Sequence, residues 1–563
     1  MPNPPIVFVP GFAGSFNLPV LLDWRAPSLN GWNFPPFVDY GRTFVAACER
    51  AGYTRNRDLF VAFYDWRKSV TDSATTYLAR WIDRAKSASG RSRVALVAHS
   101  MGGLVARTYI QSTSYRNDVP HLTTLAPPHR GSANAYYPWG GGEINWGGMV
   151  SAFLNVYLWS LAHVHPFQTG LNRLKTIRTQ IVGIRDLLPQ DDYLRRAGAQ
   201  PTMIPEDEMR ERNLWSDVWN TPGALALLLS RTPLTTISGQ NFMTLEQIEA
   251  GPPPSPPGTP PVYPDGAPLQ RITTASGDGT VLLASAQVQA QGVTNRPPAQ
   301  IVHDQLPDRT VDQVLAILGI AAPAPEPEAA PVSRMVIMAA SPIELTIEAL
   351  PVAPVSAVLG ATEARRRAGP KVRFRNYGHR GKPLHMAIVE SPQPGSYQVR
   401  VRGTASGAFS LGALTIEPTA VAAAPSALLG AAAAAATPGA LAISEAATIE
   451  GMVAAQTELV YTIEYRAPGA APGIAFDAAA TLRNAQERFR AARAVVPQGE
   501  AAPSVLLGAE APPSVAEDIA RLAADPAAVT RLTREIAQSI GAHDPALAAG
   551  LIEQIHEAAK GGG

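Results

Sequence analysis

Ten residues constrain the fold of this chain more than any others: Val94-Ala-Leu-Val-Ala-His-Ser-Met-Gly-Gly103. An apolar run that reads as a buried strand meets His99-Ser100-Met101-Gly102 with no spacer. A segment with apolar residues three and four apart follows, as in a helix. A chain that passes from strand to helix this abruptly must turn sharply at the serine. Small residues are then needed two before and two after it, because the turn presses neighbouring backbone together. Here they are Ala98 and Gly102. Such a turn raises the serine hydroxyl above the end of a sheet, with the amide of the next residue aimed at the same spot. Ser100 is a candidate nucleophile, and the Met101 N–H a candidate oxyanion donor.

The surrounding pattern supplies the sheet. Short apolar runs at Ile6–Val9, Leu59–Tyr64, Val94–Val97, Leu122–Leu125, Leu234–Ser238 and Arg271–Ala275 read as strands. Between them Arg42–Ala51, Val70–Ser87 and Gly103–Gln111 read as helices. Strand and helix in alternation, with strands that are apolar throughout, predict an α/β domain around a mostly parallel sheet. All nine tryptophans lie between Trp24 and Trp219, and the run Ala321–Val332 is rich in proline and alanine, as in a stiff linker. The first domain is therefore expected to span residues 1–320.

A serine hydroxyl is a weak nucleophile and needs a base oriented by a third group. Gly277-Asp278-Gly279-Thr280-Val281 places one carboxylate in a glycine-flanked turn after a strand-like run. His303 is the one histidine between that turn and the linker. Ser100, Asp278 and His303 are the expected triad, in the chain order serine, acid, histidine. Asp191 and Asp192 are rival acids. The loop after the first strand, Val9-Pro-Gly-Phe-Ala-Gly14, offers the Phe12 N–H as a second oxyanion donor.

Seven blocks in one order carry a resemblance. They are Pro10-Gly11-Phe12, Tyr64-Asp65-Trp66-Arg67, Ala98-His-Ser-Met-Gly102, Ala126-Pro-Pro-His-Arg-Gly-Ser132, Asp186-Leu-Leu-Pro189, Gly277-Asp-Gly-Thr-Val281 and His303. With them the front part, roughly residues 5–320, resembles the lecithin:cholesterol acyltransferase-like branch of the lipases in the α/β-hydrolase fold. The resemblance implies that Ser100 is the nucleophile, Asp278 the acid, His303 the base, and Phe12 and Met101 the oxyanion donors. It departs from the family at Ala98, where glycine is common. It also lacks the lid disulfide of the animal members, since Cys48 is the only cysteine.

The stretch of about 130–230 is too long for a simple loop and reads as a helical cap. It holds Tyr136, Tyr137, Trp139, Trp146, Phe153, Tyr157, Trp159, Phe167, Trp215 and Trp219, with Gly140-Gly-Gly142 and Gly147-Gly148 as hinges. A mobile apolar cap of this kind suits a lipid–water interface; an ordinary packed helical insertion is the alternative. His163 and His165 have no clear partner pair, so no metal site is expected, and no cofactor.

Behind the linker the period changes to two. Ile343, Leu345 and Ile347, then Tyr397, Val399 and Val401, then Leu459–Tyr465 predict half-buried antiparallel strands. Residues 333–466 are expected to form a β-sandwich-like domain with an Ala-rich insert at 418–444. A helical region should occupy 467–563, with capping signals at Ser514, Asp525-Pro526 and Asp544-Pro545.

Composition excludes other classes. The 47 Lys+Arg against 46 Asp+Glu leave a net charge of +1, far from the basic face that nucleic acid requires. The uncharged stretch between Glu417 and Glu445 is mostly alanine broken by proline and glycine, so no transmembrane segment is expected there. The N-terminus has neither a charged region nor a long apolar one, so it is not a signal peptide as written. The default location is then cytoplasmic, or secreted if an export signal was trimmed.

The expected function is a serine carboxylic-ester hydrolase, a lipase or esterase, that cleaves lipid esters through an acyl-enzyme. Two alternatives remain. One is an acyltransferase or phospholipase using the same acyl-enzyme. The other is a surface-binding protein whose β domain binds a surface or partner while the hydrolase domain is inert.

Overall fold

The computed structural model describes residues 4–481 and position 549. Within that span, 24–27, 37–39, 145–147, 165–171, 199, 255–260, 325–331, 341–342, 351–356, 359–370, 380–381, 406, 419–440, 445–446, 454–456, 467–471 and 478–479 lie outside the description. Internal contacts gather the chain into two units. Met1–Leu158 and His165–Ala330 fall in the first; Pro331–Pro418 and Ala442–Gly563, with Trp159–Val164, fall in the second.

The first unit is built on six strands: β1 (Ile6–Val9), β2 (Leu59–Val61), β3 (Ala95–His99), β4 (Leu122–Leu125), β5 (Leu234–Ile237) and β6 (Val293–Asn295). Their order in the sheet is β6-β5-β4-β3-β1-β2, and every pairing is parallel. Every residue of β1, β3, β4 and β5 is buried, which is why these runs, up to His99 at the end of β3, are apolar or threonine instead of alternating. The chain leaves β1 toward β2 on one side of the sheet and leaves β3 toward β4 on the other. The crevice at its C-terminal end is where an open α/β sheet exposes functional groups, and Ser100 stands there.

Helix α1 (Arg42–Arg50) buries Phe44, Val45, Ala47 and Cys48, and helix α2 (Met101–Gln111) is buried along its whole length. The segment expected as one helix from Val70 is two α-helical pieces, Val70–Ser73 and Ala79–Ser89, joined by a π turn at Ala74–Leu78. Ser69 caps its start by accepting the Asp72 N–H.

One strand expectation needs correction. Arg271–Ala275 does not belong to the parallel sheet. It falls largely within Ala267–Thr274, which pairs antiparallel with Thr244–Gly251 in a separate four-stranded sheet containing Leu194–Arg196 and Thr202–Ile204. Its polar residues Gln270, Arg271 and Thr273 are exposed, as expected of a hairpin rather than an interior strand. The last parallel strand is instead β6, three residues long.

In the second unit two antiparallel sheets share one core. Arg334–Ala340 lies between Lys382–Glu390 and Gly407–Pro418 in one sheet. Gly395–Gly403 lies between Ile343–Leu350 and Glu458–Tyr465 in the other. Met335, Ile337, Ala387 and Leu411 of the first pack in one cluster with Ile343, Leu345, Val399, Val401 and Ile463 of the second. The β unit also runs past residue 466. Gly473–Phe476, expected to be helical, is a strand paired with Glu458–Tyr465. The expected helix caps at Ser514, Asp525 and Asp544, and most of the Ala-rich insert, lie outside the described residues. Among the described residues no helix is long and apolar enough to cross a membrane.

Candidate active site

The turn at Ser100 is as tight as its sequence demands. Ser100 has φ 52° and ψ −131°, a backbone state that non-glycine residues rarely occupy. The Ser100 N–H donates to the Leu125 carbonyl of β4 at 2.9 Å, and the Gly103 N–H returns to the Ser100 carbonyl at 2.8 Å. A Cβ on Gly102 would lie 2.4 Å from the Pro10 carbonyl oxygen, and one on Gly11 would lie 2.8 Å from the Ser100 Cβ. Only glycine at both positions lets the β1 loop lie against the elbow. Ala98, the departure from the family pattern, is buried in β3 in register with Val9, where its methyl is accommodated.

Ser100, His303 and Asp278 form one hydrogen-bonded line. Ser100 Oγ lies 2.9 Å from His303 Nε2, and His303 Nδ1 lies 2.8 Å from Asp278 Oδ2. The other carboxylate oxygen, Oδ1, accepts the Thr280 N–H at 3.0 Å and the Val281 N–H at 2.7 Å. The Asp278 carbonyl accepts the His303 N–H at 3.0 Å, so the two residues are tied by backbone as well. Burial lowers the affinity of His303 for a proton, but Asp278 and then Asp304 outweigh it, so the ring titrates above the ordinary imidazole range. The rival acids stand elsewhere. Asp191 is paired with Arg130, and Asp192 accepts the Glu206 N–H at 2.8 Å.

Asp278 reaches this place by a detour. After β5 the chain makes the Thr244–Gly251 and Ala267–Thr274 hairpin and then returns, so that Asp278 bridges to Phe242 beside the end of β5. Thr244 pins the turn by accepting the Gly279 N–H at 2.8 Å. Nothing in the sequence marked that threonine.

Phe12 and Met101 flank the serine. Met101 opens α2, so its amide belongs to the first turn, whose N–H groups have no intrahelical acceptor. The Phe12 ring meets the Trp66 ring edge-on at 4.9 Å, and Trp66 Nε1–H donates to the Ser15 carbonyl at 3.0 Å. The same Tyr64–Arg67 block supports the site more widely. Arg67 holds Asp65 through two 2.7 Å bonds and donates to the Leu21 and Val20 carbonyls, all buried. A pocket opens over Ser100 and His303, lined by Phe12, Pro128, Ala135, Val150, Leu187 and Val281 with Ser132, Thr280 and Asp304. His99 also lines it beside Ser100 and His303, and the rest of its wall is apolar. Among the described residues no group of side chains is arranged to hold a metal ion; His163 and His165 lie outside the description of side chains.

The insertion between β4 and β5 is packed in the described conformation. Tyr136, Tyr137, Trp139, Tyr157 and Trp215 are buried. Gly140 and Gly141 lie beneath the Tyr263 ring, where a Cβ on Gly141 would come within 2.1 Å of it, and the Tyr263 N–H donates to the Gly140 carbonyl at 2.8 Å. These glycines permit close packing in the described conformation. Trp146 and Phe167 lie outside the described residues.

With this geometry in view, residues 38–146 match the family model described as lecithin:cholesterol acyltransferase. That segment is a lecithin:cholesterol acyltransferase family domain. It carries the Tyr64–Arg67 block, the Ser100 elbow and the Pro127–Ser132 block, within an α/β-hydrolase-like parallel sheet. Triacylglycerol lipase 2 of Saccharomyces cerevisiae is 43% identical over 61 residues, which is 11% of this chain and 19% of that lipase's length. Among solved structures, mature Bacillus licheniformis lipase BlEst2 is 19% identical, with 56% of this chain and 92% of that one covered and a TM-score of 0.28. Phospholipase PlaB from Legionella pneumophila is 12% identical, with 71% and 86% covered and a TM-score of 0.24.

The Asp186–Pro189 block packs against this family segment and carries a testable charge. Asp186 accepts the Val70 N–H at 2.7 Å, and burial pushes its carboxyl up to about 6. A folded pKa above the unfolded value means that this group's stabilising contribution is present in acid and lost as pH rises through about 6. Asp186→Asn keeps an oxygen for Val70 and cannot ionise. The Tm of the variant minus that of wild type should therefore become more positive between about pH 4 and pH 7. A difference that stays flat, or moves the other way, counts against a buried and reluctantly charged Asp186.

Proposed function

We propose that this protein is a serine ester hydrolase that cleaves lipid esters through an acyl-enzyme. One observation carries the reading: the Ser100 Oγ, on a strained elbow and under an apolar pocket, lies 2.9 Å from a histidine that a buried carboxylate holds at 2.8 Å. In this reading the Ser100 oxygen attacks the ester carbonyl while His303 Nε2 takes its proton. Asp278 keeps the other proton on Nδ1 and stabilises the imidazolium. The N–H groups of Phe12 and Met101 receive the oxyanion. The alcohol leaves with the proton from His303, and water then repeats the sequence on the acyl-enzyme. The same intermediate met by an alcohol gives acyl transfer, which the family description keeps in view. Product analysis with added 1-butanol separates the two outcomes.

The apolar pocket wall sets the substrate preference. Each methylene buried there contributes up to about 0.8 kcal/mol, or roughly fourfold in kcat/KM at full burial. On p-nitrophenyl esters kcat/KM should therefore climb from acetate through butyrate to octanoate. A labelled Ser100 with an acetate optimum would leave the ester chemistry standing and remove the lipid substrate.

A further inference from the structure

We infer that Tyr40 and His99 are positioning residues: together they form a buried hydrogen-bonded chain that holds the oxyanion loop, the serine elbow and the histidine loop in one register. The role rests on the ester-hydrolase reading above and assigns work to two residues outside the triad and the oxyanion donors.

The chain has three links. The Gly11 N–H donates to Tyr40 Oη at 2.7 Å, Tyr40 Oη lies 2.8 Å from His99 Nδ1, and His99 Nε2 lies 3.0 Å from the His303 carbonyl oxygen. Its direction follows from its ends. A backbone N–H can only donate and a carbonyl can only accept, so Tyr40 must give its proton to His99 Nδ1, and His99 must carry its own on Nε2. Every donor and acceptor along the line is then used once. Tyr40 is fully buried and His99 almost so. Burial, and then the neighbouring His303, hold His99 well below the ordinary imidazole range, so it stays neutral and this tautomer persists.

Each link ends beside a working group. Gly11 precedes Phe12, His99 precedes Ser100, and the third link grips the backbone of the base itself. The His99 and His303 rings lie 4.7 Å apart, and a Cβ on Gly11 would lie 3.0 Å from His99 Nδ1. The three loops thus come from separate parts of the sequence and meet on two side chains. A displacement near 1 Å among reacting groups can cost on the order of 10²-fold in rate. Such a loss falls on kcat; Tyr40 is not among the residues that line the pocket, whereas His99 lines it beside Ser100, so Tyr40→Phe gives the cleaner split of kcat against KM.

The test uses the full chain and a water-soluble ester, with rates divided by active sites titrated with a fluorophosphonate. Tyr40→Phe removes one oxygen and breaks the first two links. His99→Asn retains an acceptor near Nδ1 and cannot reach the His303 carbonyl. Each should lower kcat per titrated site by about 10- to 100-fold, with KM changed by less than about threefold. If Tyr40→Phe is not recovered folded, His99→Asn gives the same readout from the other end. The double variant should lose less than the product of the two single losses, because both break one chain. Wild-type kcat per site in either folded variant, with only Tm reduced, overturns the positioning role, as does a fully multiplicative double variant. A wild-type protein that neither takes the label nor turns over ester removes the hydrolase reading and this role with it.

Discussion

Ser100→Ala is expected to lower kcat on a p-nitrophenyl ester by about 10⁴-fold or more while leaving the Tm unchanged. The substitution removes one oxygen and keeps the Cβ, so the strained backbone at φ 52° and the contact of that Cβ with Gly11 persist. What disappears is the proposed nucleophile, the oxygen 2.9 Å from His303 Nε2. Polarisation by the Phe12 and Met101 amides would survive, and such residual catalysis is typically 10³–10⁴ over water in hydrolases stripped of a triad member. The variant should therefore be nearly, not wholly, inactive, and it should take up no fluorophosphonate. Activity near wild type would show that the reaction does not pass through this serine.

How much of this site the sequence discloses depends on the range of the interactions that build it. The elbow is legible because its constraint is local: one residue must turn, so the residues two before and two after must be small. The parallel strands are legible because complete burial leaves an apolar run, and the second unit because half-burial leaves alternation, as at Ile343, Leu345 and Ile347. Strand β6 is three residues, Val-Thr-Asn, with no pattern long enough to read. Arg271–Ala275 misleads for a physical reason. A hairpin inserted after β5 returns the chain to the sheet end, so a strand directly before Asp278 need not belong to the sheet that presents it.

Long-range partners leave no local trace at all. Tyr40 is 59 residues from His99 and 29 from Gly11, yet its hydroxyl joins both. Thr244 is 35 residues from the Gly279 amide it receives. Such residues are one hydroxyl among many until the fold closes around them. The glycines at 140–141 show the converse. Small residues in a row suggest a hinge, but the same absence of side chain also allows an aromatic ring to lie on the backbone, and Tyr263 does so.

Asp278→Asn is the second large effect, expected at about 10⁴-fold in kcat with the fold intact. An asparagine oxygen can still accept the Thr280 and Val281 amides that now bind Oδ1. Its NH₂ then faces His303 Nδ1 where the carboxylate stood, and it can only donate. His303 must respond by carrying its proton on Nε2, the nitrogen that should accept from Ser100, so the geometry survives while the proton stands on the wrong side. The pH profile supplies a second and independent reading. In wild type the carboxylates raise His303 above the ordinary imidazole range, so kcat/KM should climb with pH through a midpoint above that range as the ring becomes neutral. Without the Asp278 charge the proton is held less tightly, and the midpoint of the residual activity should move to lower pH. Asp191→Asn, which breaks only an exposed pair with Arg130, should change kcat by less than about twofold. If Asp191→Asn proved the more damaging change, or if Asp278→Asn left the acid limb where it was, the acid of this site would have to be sought elsewhere.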